Sequence, residues 1–194
     1  MFMANSNHHS PVKKELEFVD EIDENGNSIG RVEKMDAHLR GIRHAAVHVF
    51  VFTSKHELVL QYRSHRKRIY PLKWDTSVGG HVHAGESLDA GVKREMGEEL
   101  GLHVQPRHLG WADVSDHEGE YHHRERVHYY WVVLPVHTAL VPNEEFDDIA
   151  FITLEKMPAF ISTNNFTATF LAGWKKFSNQ LQRVIHAKKI NEVK

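Results

Sequence analysis

The apolar positions in the first third of the chain recur in short runs that predict β-strands. Phe18–Val32 predicts a hairpin, because the Asn-Gly pair at 25–26 supplies a positive-φ turn between two apolar runs. Ala45–Phe52 is apolar on both faces apart from His48, which is typical of a central strand. After a short turn, Glu57–Tyr62 predicts a second strand whose apolar residues share one face.

Later in the chain the apolar spacing changes to three and four residues, which predicts amphipathic helices. The first is Leu88–Leu100, followed by Gly101 in the position of a C-terminal cap, and the second is Phe166–Ile185. The remaining predicted elements are a short helix at Lys34–Leu39, an irregular segment at Pro71–His83, strands at His103–Val114, Val127–Val136 and Ile149–Leu154, and a polar loop between the first two of those strands. Because strands and helices mix without strict βαβ alternation, we expect an α/β (α+β) fold with a mixed central sheet flanked by helices.

Composition sets the domain count and the classes of partner. The chain has 194 residues, 41% hydrophobic and 26% charged, so we expect one domain at 15–190 behind a disordered tail at 1–14. The net charge of −2 does not indicate a generally basic nucleic-acid surface. The tail has no apolar run typical of a signal peptide, and no stretch reaches the about 18 apolar residues of a membrane span. We therefore expect a cytoplasmic protein without a nucleic-acid polymer or a membrane as partner, and a homodimer stays open.

The chain lacks cysteine but contains 17 histidines. The absence of cysteine excludes disulfides, thiolate metal ligands and a cysteine nucleophile. Two interpretations of the histidines stay open: scattered surface residues, which is the ordinary case, and ligands of a metal ion. His81 and His83 flank a predicted loop, where a bracing role or a direct metal role is compatible with the sequence.

The predicted helix at Leu88–Leu100 breaks several local rules. Glu95 and Glu99 interleave with its apolar stripe, and Glu98 falls in the same arc, so three carboxylates border the buried face. Glu95 and Glu99 are a like-charge i,i+4 pair, which is destabilising and more strongly so when partly buried. Arg94 is the only local compensation in the sequence. A hard divalent cation such as Mg²⁺ would offset the repulsion, and the alternative is a solvated acidic helix face.

The spacing around this helix resembles the Nudix box, GX5EX7REUXEEXGU, in which U is an aliphatic residue. Its specified positions are filled by Gly80, Glu86, Arg94, Glu95, Met96, Glu98, Glu99, Gly101 and Leu102. The resemblance implies an α/β/α sandwich that hydrolyses a diphosphate linkage in a small nucleoside-diphosphate-type substrate. It further implies Mg²⁺ or Mn²⁺ held by Glu95, Glu98, Glu99 and the carbonyl of Gly79, with Glu86 and Arg94 bracing the loop and the helix.

The same resemblance gives candidates for the chemistry. The metal would neutralise the diphosphate and lower the pKa of a bound water, and Glu99 or Glu95 is the expected base. Glu145 is the candidate from outside the box. Glu144, Glu118, Glu120 and Glu125 are weaker candidates, and every one of these five is more typical of a loop-surface charge. Arg63 and Lys67, in a basic loop with Arg66 and Arg68, are candidates for the distal phosphate, with a merely exposed loop as the alternative. Tyr62, Tyr70 and Trp74 are candidates for stacking on a base, although core packing is the more ordinary role.

The hairpin, the RHAAVHVFVF run, the basic loop and LKWDTSVGGH resemble the branch shared by type I isopentenyl-diphosphate isomerases and their hydrolase relatives. Those isomerases use a cysteine where this chain has Gly79, and their Nudix box is degraded, whereas the box in this chain is intact. A hydrolase is therefore the expectation. The alternatives are the isomerase and a non-catalytic nucleotide-binding module. The isomerase metal site also uses histidines, and His44 and His81 fall near the equivalent places.

Overall fold

A mixed β-sheet with helices on both faces forms the centre of the fold. The computed structural model describes residues 16–135, 138, 140 and 144–192, and over these residues the sheet has nine strands. In chain order the elements are β1 (Phe18–Ile22), β2 (Ser28–Glu33), α1 (Lys34–Arg40), β3 (His44–Phe52), β4 (Glu57–Arg63), β5 (Trp74–Asp75), β6 (Val78–His81), α2 (Leu88–Leu100), β7 (Arg107–Glu118), β8 (Tyr121–Val133), β9 (Phe146–Thr153), α3 (Met157–Thr163) and α4 (Ala168–Glu192).

The neighbours of β3 bring distant parts of the chain together. β3 pairs in parallel with β8 along its whole length, starting with His44 opposite Glu125. On its other edge it pairs antiparallel with β6, where Ala46 lies opposite His81. β1 and β2 form the predicted N-terminal hairpin, β7 pairs with β8, and β4 pairs with β9.

Different helices cover the two faces of the sheet, because successive side chains of a strand point to opposite faces. On one face Phe50 of β3 and Tyr129 of β8 pack in a core with Phe170 of α4. On the other face Val49 of β3 packs in a second core with Met96 of α2. This helix–sheet–helix arrangement confirms the expected fold class.

Several element predictions need correction. The polar loop predicted between the strands at 103–114 and 127–136 is wrong, because β7 and β8 continue as one long hairpin in which Glu118 lies opposite Tyr121. Exposed residues alternate in it with buried residues such as Glu125. The segment is therefore a half-exposed pair of strands rather than a loop. The segment predicted as irregular contains the short strands β5 and β6, and α3 was not predicted. α4 begins at Ala168 and runs seven residues beyond the predicted end, to Glu192.

Two predictions fall wholly or partly outside the described residues, namely the tail at 1–14 and the last residue, Val136, of one predicted strand. The proposed domain limits therefore stay a prediction. Among the described helices, none combines the length and the apolar character needed to cross a membrane.

The packing of α4 on the sheet generates a stability prediction at Gly173. A Cβ at this position would lie 2.2 Å from Cε1 of Tyr129, a fully buried ring whose hydroxyl donates a hydrogen bond to the carbonyl of Thr169. In an ordinary helix Gly→Ala stabilises by up to about 1 kcal/mol, but here we expect Gly173→Ala to destabilise by about 2–3 kcal/mol through overpacking. Urea denaturation measures the difference. Leu171→Ala, on the exposed side of the helix, is the control and should change stability by less than about 1 kcal/mol. A stabilised Gly173→Ala variant would contradict the packing described.

Candidate active site and histidine centre

Helix α2 carries three candidate carboxylates along the border of its buried face. The helix begins after Ser87, whose hydroxyl accepts a hydrogen bond from the backbone N–H of Ala90, and it ends at Gly101 in a left-handed conformation. Glu95 and Glu99 are buried, whereas the side chain of Glu98 is 60% exposed. The predicted edge of the buried helix face therefore lies between Glu98, which is exposed, and Glu95 and Glu99, which are buried.

Arg94 connects the acidic groups to the preceding loop. Its guanidinium donates to both carboxylate oxygens of Glu86, at 3.0 and 2.9 Å, to Glu95 at 2.7 Å and to Glu98 at 3.1 Å. It also donates to the backbone carbonyl of His81 at 2.9 Å. Burial opposes the charge of Arg94, but the ion pairs with Glu86 and Glu95 outweigh it and raise the pKa of the guanidinium. Arg94 thus fixes two carboxylates of the helix relative to β6.

Glu99 is the most perturbed acid of the site. One of its oxygens accepts hydrogen bonds from the side-chain amide of Gln61 at 3.1 Å and from the backbone N–H of Gly79 at 3.2 Å. Burial, and next the neighbouring charge of Glu95, raise the pKa of Glu99 to about 8, although Lys67 and Arg63 act in the opposite direction. Burial also raises the pKa of Glu95, against the attraction of Arg94. Two buried carboxylates are therefore held side by side with too little positive charge between them.

The glycine pair of β6 leaves room for these groups. A Cβ at Gly80 would lie 2.1 Å from the carboxyl carbon of Glu95, so any side chain at this position would displace the carboxylate. A Cβ at Gly79 would lie 2.7 Å from the imidazole of His48 on the other face of the strand. The glycines are thus required by what packs against each face of the strand.

The basic loop places Lys67 close to the acids and uses Arg63 to brace its own backbone. Lys67 forms an ion pair with Glu145, and its charge acts on Glu99. Arg63 donates to the carbonyls of Ile69 and Tyr70 and pairs with Asp75 at 3.4 Å, so its guanidinium is already engaged in holding the loop. The other candidates lie outside this group: Arg66 pairs with Glu144 at the surface, Arg68 is exposed, Glu118 pairs with Lys73, and Tyr62 packs against Trp74.

A second group of polar residues, which we name the histidine centre, lies on the α4 side of the sheet. It consists of His38 from α1, His44 from β3, His81 from β6 and Glu125 from β8, and one donor atom from each lies within 4.8 Å of all the others. His123 adjoins it, with Nδ1 at 3.7 Å from Glu125. Three ring nitrogens are buried without a hydrogen-bond partner: Nδ1 of His38, Nε2 of His44 and Nε2 of His123.

Burial disfavours the charged forms of His38 and His81 in the histidine centre. Burial lowers the pKa of His38 to about 2 and that of His81 to about 4, while the charge of Glu125 acts in the opposite direction. Burial would raise the pKa of Glu125, but hydrogen bonds with His123 and His81 hold it well below its ordinary value. Nδ1 of His44 lies 2.8 Å from the carbonyl of Ile42 and must donate to it, whereas Nε2 faces Glu125 at 3.8 Å. Neutral imidazoles and one carboxylate are donors that a transition-metal ion binds.

Sequence reasoning only partly anticipated this centre. The interpretation of the histidines as scattered surface residues is wrong for His38, His44 and His123, which are buried. Glu125 is likewise buried and is not a loop-surface charge. A signal was present for His44, because it occupies the same face of β3 as Ala46 and Phe50 in an apolar run. The proximity of Glu125 depends on a parallel pairing that periodicity does not reveal.

Comparison with known proteins places these residues in a family context. The NUDIX domain matches residues 42–172. An uncharacterised Nudix hydrolase of Listeria innocua is 30% identical over 165 residues, which cover 79% of this chain and 89% of the relative. An isopentenyl-diphosphate Delta-isomerase of Streptomyces avermitilis is 32% identical over 160 residues, covering 77% and 78%. The crystallised NUDIX domain of Shewanella oneidensis NrtR, in complex with ADP-ribose, shares the fold with a TM-score of 0.55 at 16% identity, covering 71% of this chain and 87% of that domain.

The raised pKa of Glu99 generates a prediction about stability and pH in metal-free protein. Its folded-state pKa of about 8 exceeds the ordinary 4.5, so between these values the folded state holds more protons than the unfolded state. This group therefore makes stability fall as pH rises through that window. We expect Glu99→Gln to remove this contribution and to gain at least about 1 kcal/mol relative to wild type between pH 5 and pH 8. Urea denaturation with a chelator present measures the difference, and Glu98→Gln, with its exposed side chain, is the control. Parallel pH profiles for wild type and Glu99→Gln would contradict the prediction.

Proposed function

The chain belongs to the NUDIX domain family and is a Nudix hydrolase, and we propose that it cleaves a diphosphate linkage in a nucleoside-diphosphate-type substrate. The observation that carries this proposal is the buried pair of Glu95 and Glu99 beside the glycine pair of β6. The ADP-ribose held by the NrtR domain is a nucleoside diphosphate joined to a sugar, which supports the substrate class.

The residues of α2 fit a hard divalent cation, Mg²⁺ or Mn²⁺. Burial and mutual repulsion disfavour the charged forms of Glu95 and Glu99, and Arg94 pairs with only the first of them. An ion that prefers oxygen ligands offsets this repulsion. Glu95, Glu98, Glu99 and the carbonyl of Gly79 would hold it. When bound, such an ion neutralises the diphosphate and lowers the pKa of a coordinated water.

The protein's own residues then position and deprotonate the nucleophile. Gln61 and the N–H of Gly79 orient one oxygen of Glu99, and this carboxylate, or that of Glu95, takes the proton of the attacking water. Arg94 keeps Glu95 and Glu98 in place through its ion pairs. These assignments rest on geometry and on the chemistry of carboxylates.

Recognition of the substrate phosphates is assigned to the basic loop. Lys67 is the main candidate, because its charge acts on Glu99 and its present partner is the half-exposed Glu145. A substrate phosphate would replace Glu145 as the partner of Lys67, which would free that carboxylate to act on a water. Arg63 supports the loop and adds positive charge without a change of partner.

The histidine centre favours a second candidate function, the isomerisation of isopentenyl diphosphate, since the isomerases of this branch use histidines in their metal site. Several relatives bear the isomerase name. Gly79 argues against this activity, because it stands where those enzymes have a cysteine and the ring of His48 fills the space above it. A non-catalytic binding module is disfavoured by the complete set of acidic positions in α2.

We also propose that the histidine centre holds a transition-metal ion in addition to the cation at α2. Two members of the centre, His38 and His44, each have a buried ring nitrogen without a hydrogen-bond partner, and ligation to a metal would compensate for the missing hydrogen bonds. Imidazole-rich donor sets suit Zn²⁺, Fe²⁺ or Co²⁺ better than Mg²⁺. The two centres differ in ligand chemistry and are testable separately.

The proposed chemistry predicts the effect of two isosteric substitutions. Glu98→Gln and Glu99→Gln should each lower kcat at least about 100-fold, because each removes a proposed ligand or base without changing the shape of the side chain. Glu24→Gln, in the exposed turn of the N-terminal hairpin, is the control and should retain wild-type activity. The substrates are ADP-ribose, other nucleotide sugars, dinucleoside polyphosphates and isopentenyl diphosphate, each with Mg²⁺ and then with Mn²⁺, and chromatography identifies the products.

Cleavage of at least one nucleotide substrate by wild type, lost in both α2 variants, supports the hydrolase. Conversion of isopentenyl to dimethylallyl diphosphate, without cleavage of nucleotides, would support the isomerase instead. Absence of turnover combined with tight nucleotide binding would support the binding module. Full activity of Glu99→Gln would refute its assigned role.

The histidine centre predicts a site for Co²⁺ that is independent of α2. Titration of metal-free wild type should give visible absorption bands of a nitrogen-ligated Co²⁺ ion. His44→Ala and His81→Ala should weaken this binding more than about tenfold, because each removes one ligand. Glu99→Gln and the exposed His117→Ala should leave the bands unchanged. Bands that persist in His44→Ala and vanish in Glu99→Gln would assign the ion to α2 and overturn the second centre.

A further inference from the structure

The loop between β4 and β5 holds Tyr70 in an unusual backbone conformation. Tyr70 has a φ of 50° and Leu72 a φ of 54°, in the left-handed region that residues other than glycine rarely adopt. Arg63 enforces this conformation by donating to the carbonyls of Ile69 and Tyr70 at 3.0 and 3.1 Å. Such strain costs about 1–3 kcal/mol per residue and is concentrated at ligand clamps and switches. The conformation of Tyr70 therefore points to a role beyond filling space.

The ring of Tyr70 covers His123, which adjoins the histidine centre. It stacks on His123 with a centroid separation of 4.5 Å and an interplanar angle of 22°. His123 is 2% exposed, and its Nε2 is buried without a partner. The ammonium of Lys73 lies 4.6 Å from the centroid of the Tyr70 ring. Tyr70 thus shields His123, which has a ring nitrogen without a hydrogen-bond partner and adjoins Glu125.

The cover is fastened at the β7–β8 hairpin by polar contacts. The hydroxyl of Tyr70 donates a 2.7 Å hydrogen bond to Asp116, and Lys73 pairs with Glu118 at 3.0 Å. Asp116, Lys73 and Glu118 are all only partly buried, so water competes for these contacts. A hydrogen bond to a carboxylate is stronger than one between neutral groups, so the Tyr70–Asp116 contact is the main fastening.

We propose that Tyr70 is a removable cover over the histidine centre and that its hydrogen bond to Asp116 is the latch. When the latch releases, the loop lifts from the hairpin and opens the centre to ligands from solvent, namely a metal ion and an anion bound to it. The cover itself is a property of the fold. Only the identity of the entering ligand rests on the proposed metal centre.

The first test uses metal-free protein, so its result does not depend on the proposed metal. Tyr70→Phe and Asp116→Ala both remove the latch while an aromatic ring stays at 70. Diethyl pyrocarbonate modifies accessible imidazoles, and peptide mass mapping gives the modification rate of each histidine. We expect His123 to react about 10- to 100-fold faster in both variants. Loss of a hydrogen bond to a charged group raises the population of the open state by about this factor. The double variant should react no faster than either single variant, because both remove the same contact.

Two internal references make this result specific. His56 is as buried as the centre but lies in the turn between β3 and β4, so its rate should stay unchanged if the opening is local. Glu120→Gln, in the exposed turn of the β7–β8 hairpin, should match wild type. Unchanged reactivity of His123, or an equal rise at His56 that signals global unfolding, would overturn the cover.

The second test uses protein loaded with Co²⁺ and follows loss of the visible bands after addition of excess chelator. The same latch variants should release the ion about tenfold faster or more, whereas Glu120→Gln should not. Unchanged release in the variants would overturn the cover as the route to the centre. If wild type binds no Co²⁺ at this centre, the metal proposal fails, and the modification rates of His123 still decide whether Tyr70 is a removable cover.

Discussion

The crowding of two buried carboxylates on one helix edge is the constraint on which the rest of the active site depends. Glu95 and Glu99 lose hydration and repel each other, so their surroundings must supply both space and positive charge. Space comes from Gly80, and fixed charge comes from Arg94 on one side and from the basic loop on the other. The helix, the glycine pair and the loop therefore form a unit, in which a change in one member displaces the others.

The strand β6 serves two sites because its side chains alternate between the faces of the sheet. Gly80 faces the carboxylates of α2, whereas Gly79 faces His48 and His81 joins the histidine centre. Oxygen ligands and imidazole ligands are thus separated by the thickness of one strand. The two sets of candidate ligands would suit metal ions of different preference. It also means that the position of Gly79 affects both, since its N–H donates to Glu99 while its Cα packs against His48.

The parts of this molecule that follow from local sequence were predictable, and the parts that follow from long-range pairing were not. The bounds of α2, its cap at Gly101 and the spacing of its carboxylates are local and were predicted correctly. The hairpin at the N-terminus follows from its Asn-Gly turn in the same way. By contrast, the contact of His38 with His81 and Glu125 requires three elements, α1, β6 and β8, to meet, and no periodicity encodes their register. The engagement of Arg63 with its own loop was also unpredictable, because a guanidinium beside a carbonyl is a feature of tertiary packing.

The parallel pairing of β3 with β8 joins segments that lie far apart in the chain. Parallel strands that are distant in the chain must close a long loop before their contacts contribute, so such pairings form slowly. His44 and Glu125 are the first pair of this ladder and are brought together only by it. The histidine centre is therefore complete only in a chain that has formed this pairing. An ion held by all four donors would bind the folded protein alone and would stabilise it by mass action.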